Sequence, residues 1–143
     1  MNLSFTGKTA GIVAEYNPFH NGHARHIART RELTGAENIV VIMSGNFVQR
    51  GDCAVGDKFS RARMALQGGA DLVIELPLPF ACAGAETFAR GGVGLADALG
   101  QVDFLSFGME CDRYSSRSGM GFHIQALSIL TLRLLQTVRR MLR

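Results

Sequence analysis

Four short apolar runs, Ala10–Tyr16, Asn38–Met43, Asp71–Leu76 and Val102–Phe107, alternate along the first 110 residues with longer stretches of helical character. Each run is nearly continuous in Val, Ile, Leu or Phe, the pattern of a strand buried on both faces. Each is followed by Gly, Pro, Asn or Ser, residues that can turn the chain. Gly22–Thr34, Lys58–Gly68 and Ala85–Leu99 have the length of crossover helices, and the Leu99-Gly100 step offers the last of them a C-terminal stop. This order of elements predicts an α/β fold, a Rossmann-like parallel sheet with crossover helices.

Ligands of such sheets bind beyond the carboxyl ends of the strands, which directs attention to the loops there. Asn17-Pro18-Phe19-His20-Asn21-Gly22-His23 follows the first strand, Ser44-Gly45-Asn46-Phe47-Val48-Gln49-Arg50-Gly51 the second, and Phe107-Gly108-Met109-Glu110 the fourth. These three loops are expected to converge on one cleft.

Composition changes the picture in one place. The chain has 143 residues, 47% of them hydrophobic, a size that one domain can fill. No leader-like segment and no run of about 18 apolar residues is legible, so a cytoplasmic protein without a membrane span is expected. Cys53, Cys82 and Cys111 lack C-x-x-C spacing and read as unpaired thiols, with no metal site among them. Charge, however, is unevenly placed. Residues 1–112 carry all 12 acids and 9 of the 15 bases, whereas residues 113–143 carry 6 arginines and no acid. Within that tail, Leu127, Leu130, Leu134, Leu135, Val138, Met141 and Leu142 recur at helical spacing, which predicts a basic amphipathic helix over 122–143. Such a helix can pack on the core, self-associate, or contact RNA or a membrane surface.

His20-Asn21-Gly22-His23 has the form H-x-G-H at the junction of a buried strand and a helix start. A helix N-terminus presents unpaired N–H groups and partial positive charge, a setting suited to a triphosphate. Glycine between the histidines lets the backbone approach a ligand. Two imidazoles there can donate hydrogen bonds to oxygens that gain charge as pyrophosphate leaves, so His20 and His23 are the catalytic candidates. Asn46, Gln49, Arg50, Lys58 and Arg61 are candidate substrate or phosphate contacts. Lys58 stands at a helix start, where a cation is unfavourable unless an anion answers it.

Gly11–His23, Met43–Gly51, Asp57-Lys58-Phe59-Ser60-Arg61-Ala62, Gly69–Pro77 and Leu105-Ser106-Phe107-Gly108 form an ordered set. In that set the chain resembles the bacterial tRNA(Met) cytidine acetate ligase family, within the wider H-x-G-H nucleotidyltransferase superfamily. The resemblance covers roughly residues 9–110 and implies a nucleotidyltransferase-like, ATP-binding domain over 1–112. It implies activation of acetate by ATP as acetyl-adenylate, then acetyl transfer to N4 of the wobble cytidine of elongator tRNA(Met), with Mg2+ accompanying the ATP. It also implies a nucleotide lying along Val13, Ala14, Glu15, Tyr16, Asn17, Pro18, Phe19, His20, Asn21, Gly22, His23, Ala24, Arg25 and His26 and against Gly108.

Members of that family are expected to run well beyond this length. Residues 113–143 therefore read as a truncation or frameshift product as readily as an evolved module. Two other readings stay open: a small-molecule adenylyltransferase using the same cleft, and a catalytically inactive fragment that binds nucleotide or RNA.

Overall fold

A computed structural model describes residues 5–110 and the backbone strand at 125–131. In chain order the elements are β1 (Thr9–Ala14), α1 (Asn21–Thr34), β2 (Asn38–Ser44), a 3-10 turn at Gln49–Gly51, α2 (Lys58–Gln67), β3 (Leu72–Leu76), the short α3 (Leu78–Ala81), α4 (Ala85–Leu99), β4 (Phe104–Glu110) and β5 (Gln125–Thr131). They build one sheet in the order β3-β2-β1-β4-β5. β1 is parallel to β2 and to β4, and β2 to β3, so the expected parallel α/β fold is present.

The sheet has helices on both faces because side chains of a strand alternate between faces. Along β2, Ile39, Val41 and Met43 join Ile12, Ile27 of α1 and Ala65 of α2 in one core. Ile42 points the other way, into a second core with Leu76, Phe88 and Ala96 of α4, and Leu105. That two-sided burial is why the strands read as continuous apolar runs. Chain order 1-2-3 proceeds outward from β1, and β4 returns to its other side. The carboxyl ends of β1 and β4 therefore flank the switch point at which ligands bind in open α/β sheets.

Two stretches depart from the sequence expectation. Phe107–Glu110 belongs to β4 rather than to a loop, because the antiparallel β5 pairs with it from Phe104↔Thr131 to Glu110↔Gln125. Residues 125–131 are extended where a helix was expected. A short apolar run such as Ala126-Leu127-Ser128-Ile129-Leu130-Thr131 satisfies either periodicity, and the open edge of β4 offers backbone partners that a helix does not need. The remainder of the expected tail helix lies outside the described residues.

Glycines in α4 expose how tightly it packs. A Cβ at Gly92 would lie 2.5 Å from a Val13 methyl on β1, whereas one at Gly94 would meet nothing within 4 Å. Gly92→Ala is expected to lower stability by about 1–3 kcal/mol through overpacking. Gly94→Ala, in the same helix but exposed, should raise it by about 0.4–1 kcal/mol through helix propensity and a less free unfolded chain. Thermal or urea unfolding of the two variants should therefore move in opposite directions; a shared direction would contradict this packing.

Candidate active site

The first turn of α1 is held by its own histidines. His20 is the N-cap, and its Nδ1 accepts from the Gly22 N–H at 3.1 Å. Reciprocally, His23 Nδ1 accepts from the His20 N–H at 3.2 Å. A ring nitrogen that accepts carries no proton, so each neutral imidazole keeps its proton on Nε2 and presents a donor away from the backbone. The rings stack with centroids 3.7 Å apart. Gly22 is required by this fold of the chain, since a Cβ there would stand 2.8 Å from Cε1 of His20. No carboxylate occupies the first turn to answer the helix dipole, which leaves the site suited to an external anion.

His26, one turn further, is tied to β4. Its Nε2 is 2.9 Å from Oγ of Ser106, which is 2.7 Å from Oγ1 of Thr30. Thr30 donates to the His26 carbonyl, so its own oxygen is free to accept from Ser106, and Ser106 in turn accepts from His26 Nε2–H. Ser106 and Thr30 are fully buried. The relay fixes α1, and with it the histidine pair, against the strand that carries Gly108. Among the described residues, a Cβ at Gly108 would meet nothing within 4 Å.

A second set of contacts joins the loops after β1 and β2. Glu15 Oε1 accepts from the Gln49 N–H at 2.8 Å, and Asn17 Oδ1 from the Val55 N–H at 2.7 Å. Arg61, only 1% exposed, donates to the carbonyls of Glu15 (2.7 Å), Gly56 (3.0 Å) and Gly45. Among the described residues, the two non-glycine residues with positive φ are Tyr16 (49°) and Arg50 (66°), one in each of these loops. Such outliers cost of order 1–3 kcal/mol and persist where surrounding structure holds them, often at functional sites. Between the loops opens a cleft of about 680 Å3 lined by Glu15, Asn17, Val48, Gln49, Arg50, Asp52 and Cys53.

The model of the family described as HIGH Nucleotidyl Transferase matches residues 7–126. The chain belongs to the HIGH nucleotidyltransferase family. Relatives within it include the tRNA(Met) cytidine acetate ligase of Syntrophotalea carbinolica, 57% identical over 103 residues, which are 72% of this chain and 24% of that protein. The ligase of the same name from Caldicellulosiruptor saccharolyticus is 47% identical over 117 residues, 82% of this chain and 29% of its own. Thermotoga maritima TmcAL, solved with bound alpha-thio ATP, superposes with a TM-score of 0.70 at 51% identity, covering 72% of this chain and 25% of that one. The present chain thus spans about a quarter of the length of these relatives.

Within this HIGH nucleotidyltransferase, the residues expected at the nucleotide divide by environment. Val13 and Ala14 end β1, Tyr16 is buried, and His20, Asn21 and Arg25 are exposed on the loop and first turns of α1. The Tyr16 ring packs 4.6 Å from His23 and 4.9 Å from Phe19, and its buried hydroxyl has no partner among the described residues. The Asn17-Pro18 bond is cis. Of the candidate substrate contacts, Gln49 and Arg50 line the cleft with Glu15 and Asn17. Asn46 and Lys58 are engaged elsewhere. Asn46 Oδ1 accepts from the Lys58 N–H at 3.0 Å, and Lys58 Nζ pairs with Glu75 at 2.6 Å, the anion that answers a cation at a helix start. Arg61 faces inward, so the expectation that it contacts substrate or phosphate gives way to a bracing role: its guanidinium is already satisfied by three carbonyls.

Ser106 and Thr30 went unrecognised in the sequence. The signal was a serine inside the apolar run Phe104-Leu105-Ser106-Phe107, because a buried hydroxyl needs a partner. Asp57 caps α2 through the N–H groups of Phe59 and Ser60, a role its place just before the helix start at Lys58 signals. Hydrogen bonds from Ser60, its side chain first, hold the Asp57 carboxyl below its ordinary range. No described helix is long and apolar enough to cross a membrane.

Burial, then the nearby His20 and His26, push the His23 imidazole down to about 4, while burial lowers His26 as well. His23 is therefore neutral near pH 7, the form whose Nδ1 can accept. The native state resists a proton that the unfolded chain takes up near pH 6.5, so stability is full above that value and falls as pH drops towards 4. Thermal unfolding followed between pH 7 and pH 4.5 should show a falling midpoint, and His23→Asn should flatten the decline. An unaltered slope in the variant would place the titration elsewhere.

Proposed function

We propose that the chain carries the adenylating half of a tRNA(Met) cytidine acetate ligase, in which a carboxylate oxygen of acetate attacks the α-phosphorus of ATP. The bond from that phosphorus to the bridging oxygen of the β-phosphate breaks, giving acetyl-adenylate and pyrophosphate. In the second step N4 of the wobble cytidine of elongator tRNA(Met) attacks the acetyl carbonyl, loses a proton, and releases AMP. The observation that carries this reading is the pair of imidazoles whose Nδ1 atoms cap the backbone at the N-terminus of α1, beside the β1–β4 switch point, which leaves each Nε2 turned away from the backbone as a donor.

Those donors suit phosphate oxygens that gain charge as pyrophosphate departs, and they act without forming a covalent intermediate. Fixed by backbone capping, they need no reorganisation when the charge develops. The His26–Ser106–Thr30 relay keeps them in register with β4, where Gly108 leaves room for the nucleoside. Mg2+ bound with ATP would supply charge neutralisation at the phosphates. No group of three or more His, Cys, Asp or Glu side chains among the described residues is arranged to hold a metal. The ATP analogue in the Thermotoga maritima structure supports the nucleotide assignment.

Product analysis with labelled acetate and ATP tests the reading. Acetyl-adenylate trapped by hydroxylamine as the hydroxamate, and labelled tRNA when tRNA(Met) is added, are expected. A stable dinucleotide formed only with a phosphorylated acceptor would instead identify a small-molecule adenylyltransferase.

A further inference from the structure

We propose that the cleft between the loops after β1 and β2 seats the acyl acceptor as a nucleobase bearing an exocyclic amine, so that Glu15 and Asn17, expected above along the nucleotide, face the acceptor instead; this rests on the function proposed above. In the order β3-β2-β1-β4, Gly108 and the His26 relay lie towards β4, whereas the cleft is built over the β1 and β2 ends. Neither His20, His23 nor Gly108 lines it, yet Glu15 and Asn17 belong to the same short loop that delivers His20. Two ligands entering from opposite sides would meet over the end of β1.

Size and chemistry select the occupant. A space of about 680 Å3 is far larger than acetate needs and falls in the range of nucleoside-sized ligands. Its lining combines two carboxylates, Glu15 and Asp52, with the amides of Asn17 and Gln49 and one guanidinium, Arg50. Two acids against one base disfavour a second anion as occupant. Carboxylates accept from an amino group such as N4 of cytosine, and amide or guanidinium N–H groups donate to its ring nitrogen and carbonyl. Glu15 spends one oxygen on the Gln49 N–H and keeps the other. The side chains of Asp52 and Arg50 have no partner among the described residues, and Arg50 is held there at a φ of 66°. The exposed Cys53 borders the same cleft.

Saturation-transfer NMR of the full chain with cytidine, uridine and N4,N4-dimethylcytidine tests this directly. Cytidine is expected to bind roughly five- to a hundredfold more tightly than either analogue, because uridine turns a carbonyl towards the carboxylates and the dimethyl compound has no N–H to give. Asp52→Asn should shrink that preference while its melting temperature stays at the wild-type value. Equal binding of all three nucleosides, no cytidine binding, or an unchanged preference in Asp52→Asn would overturn the proposal. ATP titrated in the same samples separates the two readings: absent ATP binding counts against the adenylating function, whereas ATP binding without cytidine discrimination counts against the cleft alone.

Discussion

Replacing His20 and His23 together by alanine is expected to reduce acetate activation by a factor of about 10³ or more, taking the loss of one transition-state donor as roughly 10²–10³. The two single variants should each lose much of this, and their effects should not add, because each ring fixes the other. His20 Nδ1 caps the Gly22 N–H, His23 Nδ1 caps the His20 N–H, and the rings stack. Removing either ring frees the tautomer and orientation of its neighbour. Asparagine at either position keeps a capping oxygen but supplies no imidazole at the phosphate. His23→Asn should therefore retain stability better than alanine while recovering little activity, and rate assays beside unfolding curves would separate cap from donor. Parallel recovery of both would mean that His23 serves only the helix.

Arg61→Met is expected to lower stability by about 3 kcal/mol or more, from three buried acceptors left unpaired, a large part of the roughly 5–15 kcal/mol typical of a domain. The side chain is 1% exposed and its guanidinium satisfies carbonyls from three loop positions, Glu15, Gly45 and Gly56. Methionine fills the volume but leaves those buried acceptors unpaired, at about 1–3 kcal/mol each before relaxation or water entry. Lysine is no remedy, since a point charge cannot span three divergent carbonyls. Urea unfolding of the ligand-free protein gives the decisive reading: a residue that only contacted phosphate would leave that stability untouched and change nucleotide affinity alone.

The contrast between these residues explains how much of the molecule could be read from its sequence. All four parallel strands were legible because burial on both faces forces continuous apolar runs, as at Ile39-Val40-Val41-Ile42. The H-x-G-H segment was legible because its residue types are rare together and sit at a strand-to-helix junction. What could not be read depends on pairing across the chain. Arg61 is 46 residues from Glu15, and nothing local distinguishes a buried guanidinium from an exposed one. Ser106 meets His26 across 80 residues. For 125–131, the choice of strand over helix was set by the vacant edge of β4, which lies outside the segment itself. Even the motif hid its mechanics: spacing gave two histidines near one another, whereas their reciprocal capping, and hence their tautomers, required the fold.

The central claim is that this histidine pair, in a chain that spans about a quarter of the length of the relatives it matches, activates acetate on ATP. Exchange of labelled pyrophosphate into ATP by the purified chain tests it most directly. The account predicts exchange that depends on acetate and disappears in the His20→Ala, His23→Ala double variant. Absence of exchange in the unmodified chain despite measurable ATP binding, or exchange that survives in the double variant, would contradict it.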